Sequence, residues 1–176
     1  NFPFGKSELY GLANRTDFDL SAHQKMSGVN LSYTDPQTGE KYLPHVLEPT
    51  FGLDRSILVA LCAAYTEEKV GDEERIVMKF PKSLAPVKVA IFPLLKNKPE
   101  LVSKAREIFN LLKVSYTCEF DDNGNIGKRY RRQDEIGTPL CITVDSDTLE
   151  DDAVTVRDRG TMKQCRVKIE ELSDYI

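Results

Sequence analysis

The feature that most constrains the fold is the order of patterns between Val87 and Leu172. Val87 to Pro93 is an apolar run suited to a buried strand. Pro99 to Lys113 carries apolar residues at helical spacing, with Pro at the first helical position. Ser115 to Phe120 alternates as a strand, and Ile126 to Ile136 reads as a helix. Leu140 to Val144 and Ala153 to Arg157 read as strands, and Thr161 to Leu172 as a closing helix. A βαβαββα order predicts an α/β (α+β) fold: a mixed sheet flanked by helices, with right-handed crossovers. With 176 residues the chain holds one medium domain or two small ones. The two prolines between Lys79 and Pro86 place a junction near Phe80 to Pro86, giving expected domains 1–80 and 81–176.

The first half is more broken. Glu8 to Arg15 reads as a short strand. Asp17 to Met26 reads as a helix with Thr16 as N-cap and Gly28 just beyond its end. Asn30 to Tyr33 and Lys41 to Val46 flank the turn Asp35-Pro36-Gln37-Thr38-Gly39 and predict a hairpin. A strand from Tyr42 to Leu47 then leads to a helix from Arg55 to about Glu67, with Asp54 as N-cap. Ile57, Leu58, Leu61, Cys62 and Tyr65 form its core-facing stripe. Lys69 to Glu74 is a charged stretch.

Composition excludes several classes. The chain is 40% hydrophobic and 30% charged, with no run long enough to span a membrane. There is no signal-like N-terminus, and a cytoplasmic protein is expected. The four cysteines, Cys62, Cys118, Cys141 and Cys165, form no C-x-x-C pair and read as buried thiols of a reducing compartment. With two histidines, His23 and His45, a His-rich metal site is disfavoured and no metal ligand is assigned. A net charge of −4 means that nucleic acid must be met by a local patch.

The segment Glu48-Pro49-Thr50-Phe51-Gly52-Leu53-Asp54-Arg55 carries the densest chemistry. It lies where a strand gives way to a helix. A helix start offers unpaired N–H groups and a positive dipole end, both suited to phosphate. Gly52 permits close approach to the backbone, and Arg55 adds a permanent planar charge. Glu48 is suited to holding an ammonium. A triphosphate and an ammonium held side by side are what amino-acid activation requires.

These residues resemble motif 3 of the class II aminoacyl-tRNA synthetases, and the likeness is closer still to one family. Glu8-Leu9-Tyr10-Gly11-Leu12-Ala13-Asn14-Arg15-Thr16-Asp17-Phe18-Asp19-Leu20 and Pro44 to Arg55 resemble segments of the glycyl-tRNA synthetases. Ile126-Gly127-Lys128-Arg129-Tyr130, Asp134-Glu135-Ile136-Gly137 and Val156-Arg157-Asp158-Arg159 resemble that family's anticodon-binding domain. The spacing from Arg15 to Glu48 is similar to that of the bacterial, single-subunit-type enzymes. The resemblance covers nearly the whole chain. Nothing resembles class II motifs 1 and 2, and the chain starts at Asn1 without Met, so the C-terminal part of a longer enzyme is expected. Such a piece would end the antiparallel-sheet catalytic domain and continue into a mixed-sheet anticodon-binding domain.

The resemblance implies residue roles. Arg55 and Glu48 would be the catalytic pair, Arg55 on the ATP γ-phosphate and Glu48 on the glycine ammonium. ATP would also be met by Glu8, Leu9, Gly52, Leu53 and Asp54, and glycine by Pro49, Thr50, Phe51 and Gly52. Thr50 departs from the family's usual Ser. Arg15 reads as a partner of Asp17, Asp19 or Glu8, organising the site or contacting substrate. Implied partners are glycine, ATP with Mg²⁺, tRNA(Gly) and a second copy in a homodimer. Lys128, Arg129, Arg131 and Arg132 read as phosphate contacts or as a solvated helix face, and Arg157 and Arg159, followed by Lys163, Arg166 and Lys168, as a second basic patch. Arg129, Tyr130, Arg132, Arg157, Asp158 and Gln164 are the anticodon candidates. The rival readings are a synthetase-like binding paralogue without catalysis, of the polymerase accessory type, and a class II enzyme for threonine, proline or histidine.

Overall fold

The computed structural model describes residues 1–176, which form two compact units, Asn1–Val59 and Ala60–Ile176. The first unit is built on an antiparallel pair, β1 (Tyr10–Asn14) and β4 (Leu47–Phe51), in which Gly11 faces Thr50 and Ala13 faces Glu48. The strand expected at Tyr42 to Leu47 therefore lies later, and Glu48 to Phe51 is itself strand. A two-stranded sheet accepts Pro49 because an edge position needs no second ladder N–H. Between these strands come α1 (Phe18–Ser27) and the hairpin of β2 (Tyr33–Thr34) and β3 (Lys41–Tyr42). Gly28 ends α1 in the left-handed region at φ 70°, its N–H on the Gln24 carbonyl. Thr16 does not cap the helix. Its φ is 52°, its hydroxyl donates to the Arg15 carbonyl, and Asp17 occupies the cap position.

Helix α2 (Leu53–Ala64) starts directly after Gly52 and carries Asp54 inside its first turn rather than at the N-cap. Its expected core stripe is largely exposed: Ile57, Leu61 and Cys62 face solvent and only Ala64 is buried. The chain then turns back as β5 (Tyr65–Val70) and β6 (Glu73–Met78), an antiparallel hairpin that takes Tyr65 to Glu67 out of the expected helix and orders the charged stretch Lys69 to Glu74. Gly71, at φ 63°, makes the two-residue turn.

The rest of the second unit is a five-stranded mixed sheet in the order β11-β10-β9-β7-β8. Its strands are β7 (Val89–Pro93), β8 (Cys118–Phe120), β9 (Leu140–Val144), β10 (Ala153–Asp158) and β11 (Gln164–Lys168). β7 runs parallel to β8 and β9, whereas β10 is antiparallel to β9 and β11. α3 (Pro99–Leu112) links β7 to β8, and α4 (Ile126–Ile136) links β8 to β9. Every residue of β7 and β9 is buried, as central strands with both faces covered require. One face packs Val89, Ile91 and Ile142 with Leu101, Ala105, Ile108 and Leu112 of α3. The other packs Ala90, Phe92 and Cys141 with Ile126 and Tyr130 of α4.

The closing helix expected over Thr161 to Leu172 is not formed. That segment is edge strand β11, then one 3-10 turn (Ile169–Glu171) and the short α6 (Leu172–Tyr175). One more short helix, α5 (Thr148–Asp151), joins β9 to β10. The thiol expectation also changes. All four cysteines are free, but only Cys141 is buried, while Cys62 and Cys165 are exposed.

Candidate ligand site and nucleic-acid interface

The strand alternation of β4 sorts the Glu48–Phe51 segment into two faces. Glu48 and Thr50 share one face, opposite the small residues Ala13 and Gly11 of β1. The Thr50 hydroxyl lies 3.3 Å from Glu48 Oε1. Glu8 reaches over the same floor, since a Cβ added at Gly11 would meet Glu8 Oε1 at 3.1 Å and Thr50 Cβ at 3.8 Å. Glu8, Glu48 and Thr50 thus converge above Gly11 and Ala13. Two carboxylates and a hydroxyl over a floor with almost no side chain suit a small cation.

Pro49 and Phe51, expected beside them, point to the other face. There Phe51 packs edge-on against Tyr10, ring centroids 5.2 Å apart. The correction follows from the two-residue period of a strand, which separates neighbours in sequence.

Arg15 stands at the edge of this site. Its guanidinium forms a two-pronged ion pair with Asp19, and its Nε lies 3.5 Å from Glu48 Oε2. The Asp19 carboxyl is held below the usual range by the hydrogen bond from Arg15. Arg15 therefore bridges α1 and β4, and Asp17 and Glu8 are not its partners. Arg55, in the first turn of α2, folds back so that Nη1 donates to the Glu8 carbonyl. Gly52 sits close beneath that fold: a Cβ there would touch the Arg55 stem at 3.4 Å and the Leu9 carbonyl at 3.4 Å. The Leu9 carbonyl also accepts the Gly52 N–H at 3.4 Å. Leu53 and Asp54 are exposed at the helix start, where Asp54 complements the positive end of the dipole. No three His, Cys, Asp or Glu residues cluster to hold a metal ion.

In the second unit the basic run of α4 is mostly engaged internally. Arg129 is 1% exposed and is not presented to a ligand. It donates to the Pro93 carbonyl at 2.5 Å, the Gly124 carbonyl at 2.8 Å and the Asp122 carbonyl at 3.1 Å. Burial pulls its pKa down. Arg157 is likewise buried, with both terminal nitrogens on Asp134 at 2.9 and 3.1 Å. Both corrections have one cause: a planar fork of donors suits unpaired buried oxygens as well as it suits phosphate. Arg132 holds Asp121, Arg131 holds Glu73, and Arg166 holds Asp145 and Asp151. Asp158 accepts from the Thr161 N–H and hydroxyl, closing a turn. Lys96, Lys98 and Lys128 remain exposed, outside every ion pair.

Tyr130 and Gln164 do come together. With Leu94, Ile126, Thr143, Asp145 and Thr155 they line a hollow of about 250 Å³ on the sheet, where Arg166 neutralises Asp145. The Tyr130 hydroxyl shares a 2.7 Å hydrogen bond with Thr143 Oγ1. An aromatic edge, two threonines and an amide are the components for stacking and edge-bonding an unpaired base. Thr143 and Thr155 were not among the sequence candidates. Their facing register on β9 and β10 is what gathers them.

The model of the family described as "Anticodon binding domain" matches residues 88–176, half of the chain. The chain belongs to the anticodon binding domain family. Three curated relatives extend the likeness beyond that domain. The chain is 53% identical over 176 residues to the glycine–tRNA ligase of Clostridium kluyveri, covering 99% of this chain and 37% of that protein. It is 55% identical over 175 residues to the glycine–tRNA ligase of Ruminiclostridium cellulolyticum, with 99% and 37% covered. It is 51% identical over 176 residues to that of Caldanaerobacter subterraneus subsp. tengcongensis, with 100% and 38% covered. The chain thus spans little more than a third of the length of these relatives. Both the anticodon binding domain and the Glu8–Arg55 site fall within the shared stretch.

Proposed function

We propose that the chain works in glycine–tRNA ligation. The ligase activates glycine with ATP and transfers it to tRNA(Gly) in the cytoplasm, as a homodimer. Residues 1–80 contribute part of the ATP and glycine site, completing a class II antiparallel-sheet catalytic domain, and residues 81–176 bind the anticodon. The observation that carries this reading is the convergence of Glu8, Glu48 and Thr50 above Gly11 and Ala13.

The chemistry follows from that arrangement. Glu48 and Glu8 hold the glycine ammonium by charge, and the cation lets both stay ionised. Arg15 keeps Glu48 oriented from the side. No contact can reward a missing side chain, so larger amino acids must be excluded sterically, and the Thr50 methyl narrows the space above Gly11. At the start of α2, the Arg55 donors not used by the Glu8 carbonyl meet the γ-phosphate, aided by the free helix-start N–H groups. Attack of the glycine carboxylate on the α-phosphate then needs positioning and charge neutralisation rather than a general base. Mg²⁺ would enter with ATP and be held mainly by its phosphates.

The test is ATP–pyrophosphate exchange by the full-length gene product, with alanine, serine and threonine as controls. Exchange is expected with glycine alone, and Glu48→Gln is expected to lower it by about a hundredfold. Well-folded protein that shows no exchange with any amino acid would replace this reading with that of a non-catalytic binding paralogue.

A further inference from the structure

The β5–β6 hairpin lies outside residues 88–176 but reaches the hollow through a buried chain of charges. Arg75 of β6 is 1% exposed. Its Nε donates to Asp134 Oδ2 at 2.8 Å, Nη1 to Glu68 at 2.7 Å and Nη2 to the Arg159 carbonyl at 2.6 Å. Asp134, also 1% exposed, takes Arg157 on its other side. The Arg157 guanidinium carbon sits 4.8 Å from the centre of the Tyr130 ring. Tyr130 is a wall of the hollow.

We propose that Arg75 is a positioning residue for RNA recognition. Through Asp134 and Arg157 it fixes the Tyr130 ring against which an unpaired anticodon base stacks. The proposal rests on the tRNA-binding reading above. A buried carboxylate between two guanidiniums has one low-energy arrangement, and neither cation is comfortable without the shared anion. Removing Arg75 frees Asp134 to swing with Arg157, and the ring that Arg157 covers loses its fixed plane. A stacking platform works only when held by the groups behind it. The exposed Arg131–Glu73 pair also ties the hairpin to α4 but touches none of these groups, so it separates tethering from positioning.

The experiment is a fluorescence-anisotropy titration of the 176-residue chain. The probes are the tRNA(Gly) anticodon stem-loop and the same stem-loop with an altered anticodon. Each variant is melted first, to establish that it is folded at the assay temperature. Arg75→Met and Tyr130→Leu are each expected to lower the preference for the native anticodon by about tenfold, within the range carried by base stacking. The double variant is expected to match Tyr130→Leu alone, because Arg75 acts through that ring. Arg75→Lys keeps one N–H for Asp134 and should recover part of the preference, while Glu73→Gln should keep all of it. A merely structural role for Arg75 would weaken both RNAs alike and leave the preference intact, which overturns the proposal. Additive losses in the double variant overturn it as well. If Arg75→Met is unfolded, Glu68→Gln, which releases one side of Arg75, takes its place, and an undiminished preference then counts against the proposal. A wild-type chain with no anticodon preference, or a Tyr130→Leu variant that keeps it, removes the RNA reading of the hollow and the positioning role with it.

Discussion

A side chain at position 137 has no room. Gly137 closes α4 in the left-handed region at φ 89°, and an added Cβ would lie 2.6 Å from the Phe80 ring and 2.8 Å from the Met78 carbonyl. Backbone strain and overpacking therefore act together. Gly137→Ala is expected to cost about 2–5 kcal/mol, read as a lower urea midpoint with an unchanged slope. The thiols make a second residue-scale prediction. Burial pushes Cys141 up to about 12 and Cys118 up to about 11, which suppresses the reactive thiolate at neutral pH. Cys62 and Cys165 are exposed. Titration with a thiol-specific disulfide reagent at pH 8 is expected to show two fast cysteines in the native chain and four in denaturant. Four fast cysteines without denaturant would contradict this packing.

At the scale of elements, Asp134 ties α4 to β6 and β10. Burial alone would raise its carboxyl, but the hydrogen bonds from Arg75 and Arg157 outweigh burial and hold it below the usual value of 3.8. A depressed carboxyl stabilises the fold above the unfolded-state pKa and loses that contribution as pH falls through the folded value. Asp134→Asn is expected to cost about 3–5 kcal/mol at pH 7, by leaving buried guanidiniums without their anion. That difference should shrink as pH falls below about 4, by at most about 1.4 kcal/mol per pH unit. A deficit in urea midpoint that stays constant down to pH 2 would place the stabilisation elsewhere. The same cluster explains what the sequence hid. α4 and β9 form at the expected residues because their apolar patterns match their burial. The β5–β6 hairpin escaped because a position that normally carries an apolar residue holds buried Arg75, so the alternation reads as a charged run. Val70-Gly71-Asp72-Glu73 was the legible signal, a two-residue turn with Gly first. β11 escaped because an edge strand buries only Val167. In the first unit, Glu48, Thr50 and Arg55 were legible as polar groups around a glycine. The placing of Pro49 and Phe51 on the other face was not, because it depends on the chain continuing as strand through Phe51.

The whole molecule distributes its apolar burial unevenly, and this decides how it should open. Residues 60–176 contain nearly all the buried apolar side chains, gathered on both faces of the five-stranded sheet. Between Asn1 and Val59 only Phe2 is buried, while Leu12, Phe18, Met26, Leu47 and Phe51 are each more than half exposed. Local opening free energy follows the apolar contacts that opening breaks, so the units should exchange amide hydrogens on different scales. In hydrogen-exchange mass spectrometry, peptides covering β7 and β9 are expected to exchange only through global opening of their unit. Peptides covering β1, α1 and β4 are expected to exchange about a hundredfold faster or more, because fraying there breaks one two-stranded ladder and little packing. Added RNA should slow exchange around Ile126 to Tyr130 and β9 to β10 and leave β1 and β4 unchanged. Uniform protection along the chain would mean that both units open as one cooperative body. Slowing at β1 and β4 by RNA alone would move the nucleic-acid interface to the first unit.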